Sequence, residues 1–117
     1  MEDFENKIEQ VTFRAQLEQV AEECGELTQA CMKTVRAFGN GNPCDISKDQ
    51  AIDNLVEEMA DLSVAIGYLI RKVASYGYFE GDENQIFDLI SKIGAEKAVR
   101  WQTRLEAEEA KDEQVDG

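Results

Sequence analysis

Val20-Ala21-Glu22-Glu23-Cys24-Gly25-Glu26-Leu27-Thr28-Gln29-Ala30 and Leu55-Val56-Glu57-Glu58-Met59-Ala60-Asp61-Leu62-Ser63-Val64-Ala65 fall on one another when the chain is slid against itself by 35 residues. Both stretches read Glu-Glu-x-small-acid-Leu-hydroxyl-x-Ala, and Arg36 and Arg71 match at the same offset. A repeat of this kind predicts two equivalent helices, each presenting acids at the same place relative to its apolar stripe.

Working outward, the first stripe is Phe13, Leu17, Val20, Cys24, Leu27, Cys31, Val35 and Phe38, with spacings of four and three. Gly39 is placed to close that helix as a left-handed C′ glycine, and Gly39-Asn40-Gly41-Asn42-Pro43 reads as a loop. Ser47-Lys48-Asp49-Gln50 forms a capping box, which opens a second stripe of Ile52, Leu55, Met59, Leu62, Ile66, Leu69 and Val73 that ends near Gly77. After a turn from Tyr78 to Glu83, with Asp82 as N-cap, a third helix carries Ile86, Ile90 and Ile93 on one face. Residues 2–11 have room for a short extra helix. Beyond Leu105 the composition is acidic with almost nothing to bury, so a frayed, flexible tail is expected over 106–117, after a single domain spanning 1–105.

No stretch alternates like a strand, and the expected class is all-α, an antiparallel helical bundle. A few amphipathic helices make a thin core, so completion by oligomerisation is expected as well. Glu26 lies 12 residues before Phe38 and Glu58 lies 11 after Ser47. At ~1.5 Å per residue the two stand level in an antiparallel hairpin, with Glu23 and Asp61 matched one turn further from the loop. Four carboxylates then face each other across the seam. Like charges so crowded repel unless a cation lies between them, and the donor set suits a hard, oxygen-seeking ion such as Mg²⁺ or Mn²⁺. The competing reading is a set of solvated acids on a chain already rich in acid.

Composition narrows the function classes. The chain has 117 residues, 43% hydrophobic and 32% charged, and 25 acids against 12 Lys+Arg give a net charge of −13. That sign opposes binding to nucleic acid or to an anionic membrane surface. With no membrane-length apolar run and no secretory leader at the acidic start Met1-Glu2-Asp3-Phe4-Glu5, a cytoplasmic location is expected. The three cysteines read as reduced thiols, with Cys24 and Cys31 expected in core packing. Histidine is absent, which removes the usual zinc sets and the Ser-His-Asp triad.

Glu22-Glu23-Cys24-Gly25-Glu26 followed by Glu58-Met59-Ala60-Asp61, within a first helix running from Gln16-Leu17 to Lys33, resembles the all-α nucleoside triphosphate pyrophosphohydrolases, which include MazG-like proteins, dimeric dUTPases and phosphoribosyl-ATP pyrophosphohydrolase. The likeness covers roughly residues 13–105. It implies that Glu23, Glu26, Glu58 and Asp61 bind Mg²⁺, with Mn²⁺ as a substitute, and that Glu22 completes the catalytic set as a supporting or proton-accepting group. The implied reaction splits a canonical or non-canonical nucleoside triphosphate between its α and β phosphates to the monophosphate and pyrophosphate. A homodimer or homotetramer acting on a small-molecule nucleotide is implied with it.

Other residues stand as candidates for substrate. The third-helix stripe continues as Lys97, Arg100 and Arg104, cations that suit the β and γ phosphates or a pyrophosphate leaving group, or else a solvated basic face. Asn54, one turn before Glu58, is placed to read a base edge or ribose. Trp101 could stack on a base, but a lone tryptophan in an amphipathic helix is more often core or interface. Gly25 and Gly67, costly within helices, point to close helix approach or ligand access. Two alternatives remain at this stage, a non-catalytic helical oligomerisation module and a phosphoribosyl-ATP pyrophosphohydrolase of the same fold.

Overall fold

A computed structural model describes residues 7–8, 10–39 and 45–116, with no strand among them. The order is α1 (Phe13–Phe38), α2 (Lys48–Ser75), a 3₁₀ turn (Tyr78–Gly81) and α3 (Glu83–Asp116). Of the short helix expected over 2–11, Lys7 and Ile8 are helical and Gln10 and Val11 are not, while residues 2–6 and 9 lie outside the described residues, as do loop residues 40–44 with the third cysteine.

The helix ends follow from local chemistry. Thr12 caps α1 by accepting the Ala15 N–H at 3.1 Å, Ser47 caps α2 by accepting the Gln50 N–H at 3.1 Å, and Asp82 Oδ1 accepts the Asn84 N–H at 2.9 Å as α3 begins. Gly39 ends α1, but not by the left-handed route expected of it: its φ is −84° and its ψ 160°. Its N–H returns to the Val35 carbonyl at 2.8 Å, and a Cβ there would sit 2.9 Å from that oxygen, so glycine is required by space rather than by handedness. Gly77, at φ 89°, does take the left-handed conformation that glycine adopts at little cost. Phe79 and Glu80 follow at φ 55° and 60°, where an L side chain costs roughly 1–2 kcal/mol per residue.

Two ring contacts fix α1 and α2 as an antiparallel pair. Phe13, the first residue of α1, stacks on Tyr76, the cap of α2, with centroids 5.5 Å apart. At the other end the Lys48 ammonium lies 5.3 Å from the centre of the Phe38 ring, joining the last residue of α1 to the first of α2. Between these clamps the seam is lined by small residues, with Ala30, Ala51 and Ala65 buried. α3 packs on α2 through its first turns, where Ile86 joins Ile70, Ala74 and Val73 in a small core, and Arg71 pairs with Glu83 at 3.4 Å.

The wide apolar stripes are only partly used. Leu17, Val35 and Phe38 on α1, Ile52, Met59 and Ile66 on α2, and Ile90 and Ile93 on α3 remain exposed, and no large side chain among the described residues is fully buried. Cys24 and Cys31 are exposed rather than in core packing, because the α1 face that meets α2 runs through Gln16 and Ala30 and leaves the flank bearing both thiols open. Gly25 and Gly67 mark no close approach within the chain, since a Cβ at either meets nothing within 4 Å. Trp101, 68% exposed, is not a core residue of the single chain. The radius of gyration is 19.6 Å, against about 13 Å for a compact domain of some 100 residues.

α3 also runs past Leu105 to Asp116, through the segment expected to fray. Its described side chains from 106 to 113 are all exposed, so this length rests on propensity and local pairs such as Gln102 donating to Glu106 at 3.2 Å, not on burial. Among the described residues no helix is long and apolar enough to cross a membrane.

Candidate metal centre

Glu23 and Glu26 come from the middle of α1, and Glu58 and Asp61 from the middle of α2, so the antiparallel clamps decide whether they meet. They do. One carboxylate oxygen from each of the four lies within 4.8 Å of the others, with Glu23 and Glu58 half-buried and Glu26 and Asp61 exposed. Within each helix the i, i+3 spacing puts the two acids on one flank, and the alanine-lined seam lets the helices approach closely enough for the pairs to converge.

The electrostatics of the group are unfavourable as it stands. Glu23 Oε2 and Glu58 Oε2 are inaccessible to solvent and have no hydrogen-bond partner. Glu23 Oε1 accepts the Gln19 side-chain N–H at 2.7 Å, which orients the carboxylate and leaves Oε2 directed away from Gln19. Partial burial, then the neighbouring Glu26 carboxylate and more weakly Asp61, push the Glu23 carboxyl up from its ordinary value, while the Gln19 bond opposes them. An all-oxygen donor set with two buried, unsatisfied oxygens is what a hard divalent cation requires, so the residues present fit Mg²⁺ or Mn²⁺. Glu22 is exposed and stands outside the four.

Beside the carboxylates, toward the loop between α1 and α2, opens a cavity of about 410 Å³ lined by Glu26, Gln29, Ala30, Lys33, Ile46, Ala51, Asn54 and Glu58. Asn54, half-buried, therefore shares a wall with two of the four acids. Gln29 and Lys33 were not selected from the sequence. Their only signal was spacing, three and seven residues after Glu26, which returns them to the same helical flank. Lys97, Arg100 and Arg104 are exposed on α3 and do not line this cavity.

Comparison of the chain with protein-family models, with curated proteins and with solved structures gives no significant match. The functional reading therefore rests on the residues and their geometry.

Proposed function

We propose that the protein is an Mg²⁺-dependent nucleoside triphosphate pyrophosphohydrolase of the MazG-like kind, acting in the cytoplasm as a homodimer or homotetramer. The observation that carries this reading is the convergence of Glu23, Glu26, Glu58 and Asp61 with two of their oxygens buried and unpartnered. Isolated surface acids would be solvated on every oxygen, whereas one oxygen each of Glu23 and Glu58 is not.

Under this reading the four carboxylates hold the metal, which when bound neutralises phosphate charge and makes water more acidic. The chain's own contribution is positioning. Gln19 orients the Glu23 carboxylate by donating to Oε1. Water adds to one of the two phosphorus atoms that flank the α–β bridge, the bridging P–O bond breaks with its electron pair leaving on the other phosphate, and the water's proton passes to solvent. Such a leaving group needs no histidine acid, consistent with a chain that has none. Asn54, in the wall of the adjoining cavity, would contact the nucleoside. Lys97 and Arg100 serve the phosphates when they are supplied by a neighbouring chain.

A non-catalytic assembly module is favoured by one observation, the exposed apolar residues on all three helices. Assembly alone leaves the buried acid oxygens without a purpose. The test is pyrophosphate release with Mg²⁺ across canonical, damaged and phosphoribosyl nucleotides. Turnover of at least one triphosphate, lowered at least 100-fold in Glu58→Gln, is expected. No release from any of them, or full activity in Glu58→Gln, overturns the proposal.

A further inference from the structure

We infer that the two halves of the metal centre are held unequally: Gln19 is a positioning residue that fixes Glu23, whereas Asn54, its counterpart in the repeat, leaves Glu58 unrestrained on the side of the cavity. This rests on the metal centre of the proposed function and concerns which of its acids is set in advance for the ion. At the 35-residue offset that pairs Glu23 with Glu58, Gln19 pairs with Asn54, so each of the two half-buried acids has a carboxamide four residues before it. Residues four apart are neighbours on one face of a helix. The two carboxamides nevertheless do different things. Gln19 donates to Glu23 Oε1 at 2.7 Å. Asn54 lines the cavity of about 410 Å³ beside Glu58, and among the described residues no hydrogen bond joins the two.

One methylene accounts for the difference. Helical side chains lean toward the N-terminus of their helix, so a carboxamide has to reach back along the axis to meet the residue one turn further on. Glutamine has that reach, and the shorter asparagine keeps its amide nearer its own turn. Glu23 therefore presents its buried, unpartnered Oε2 on a side chain that is already ordered. Glu58 presents an equally buried and unpartnered Oε2, but no described residue holds either of its oxygens. Its rotamers must be ordered when an ion is taken up, a cost that the bond from Gln19 removes at Glu23. Glu58 is also the one of these two acids that lines the cavity, so the unrestrained carboxylate stands on the side open to a second molecule. The same cavity leaves room for one more methylene at position 54.

The experiment is Mn²⁺ binding to the full chain without nucleotide, followed by electron paramagnetic resonance, in wild type, Gln19→Asn, Asn54→Gln and the exchanged pair Gln19→Asn with Asn54→Gln. Thermal melts of each metal-free protein accompany it. Gln19 is exposed and Asn54 borders the cavity, so the variants should retain the fold. Gln19→Asn should bind Mn²⁺ about fivefold more weakly, because Glu23 loses its restraint, and Asn54→Gln about fivefold more tightly, because Glu58 gains one. The exchanged pair should return to the wild-type affinity, and metal-free melting should stay the same throughout. A Gln19 that only stabilises its helix would instead lower the metal-free melting temperature of Gln19→Asn with affinity unchanged, which overturns the inference. Unchanged or weaker binding in Asn54→Gln overturns it as well. In both cases saturable binding by wild type leaves the metal centre standing, whereas no saturable binding by wild type overturns the metal centre and this inference together.

Discussion

Glu23 on α1 and Glu58 on α2 each turn one carboxylate oxygen out of reach of both solvent and any protein donor, and the two belong to one group of four acids. Mutual repulsion and lost hydration both act against this arrangement, so the protein should be more stable with a divalent ion bound. At 100-fold excess over Kd, binding contributes about 2.7 kcal/mol, a rise in Tm on the order of 10 °C. Thermal melts with and without Mg²⁺ or Mn²⁺ should show this rise in wild type and lose it in Glu58→Gln and Asp61→Asn. Glu58→Gln without metal should melt no lower than wild type, because it removes one of the repelling charges.

The pH dependence has a definite sign. Because the folded chain raises the Glu23 carboxyl above its ordinary value, the native state binds that proton more tightly than the unfolded one. Its contribution to metal-free stability is therefore present at low pH and lost as pH rises from the ordinary carboxylate value through the raised one. Metal must displace the same proton, so Mn²⁺ affinity should increase with pH across that window. Calorimetric titrations in two buffers of different ionisation enthalpy should register proton release there, and Glu23→Gln should abolish the release.

Exposed Ile90 and Ile93 continue the stripe that begins with buried Ile86, and the hairpin leaves Leu17, Met59 and Ile66 open as well. Faces of this kind call for a second chain. Sedimentation should find an oligomer at micromolar concentration, and Ile90→Asp combined with Ile93→Asp should weaken association at least tenfold. A wild-type monomer at all concentrations would contradict this.

Lys97 and Arg100 do not line the cavity of their own chain. If a neighbouring chain supplies them, Lys97→Met with Arg100→Met should raise KM for the triphosphate about tenfold and leave Mn²⁺ binding unchanged. Mixed oligomers of this variant with Glu58→Gln should recover part of the activity, since one chain would then supply the cations and the other the acids.

Much of the hairpin was legible in the sequence, because stripes and caps are local signals: Ser47 and Asp82 cap where expected, and the repeat places Glu26 level with Glu58. What local signals do not carry is which flank of a wide stripe meets its neighbour. The seam uses Ala30, Ala51 and Ala65, so Cys24 and Cys31 face outward although their spacing matches a core. Propensity carried α3 to Asp116 without any burial to announce it. Gln29 and Lys33 were missed because exposed polar residues have no period of their own, and only the packed hairpin shows that they line a cavity with two of the acids.

The most direct test of the metal centre is the electron paramagnetic resonance of Mn²⁺ titrated into metal-free wild type, Glu23→Gln, Glu26→Gln, Glu58→Gln and Asp61→Asn. Saturable loss of the free-ion signal is expected for wild type, with affinity falling at least tenfold in every variant while circular dichroism stays helical. Equal Mn²⁺ binding by wild type and all four variants, or no saturable binding by wild type, would contradict a divalent ion held between α1 and α2.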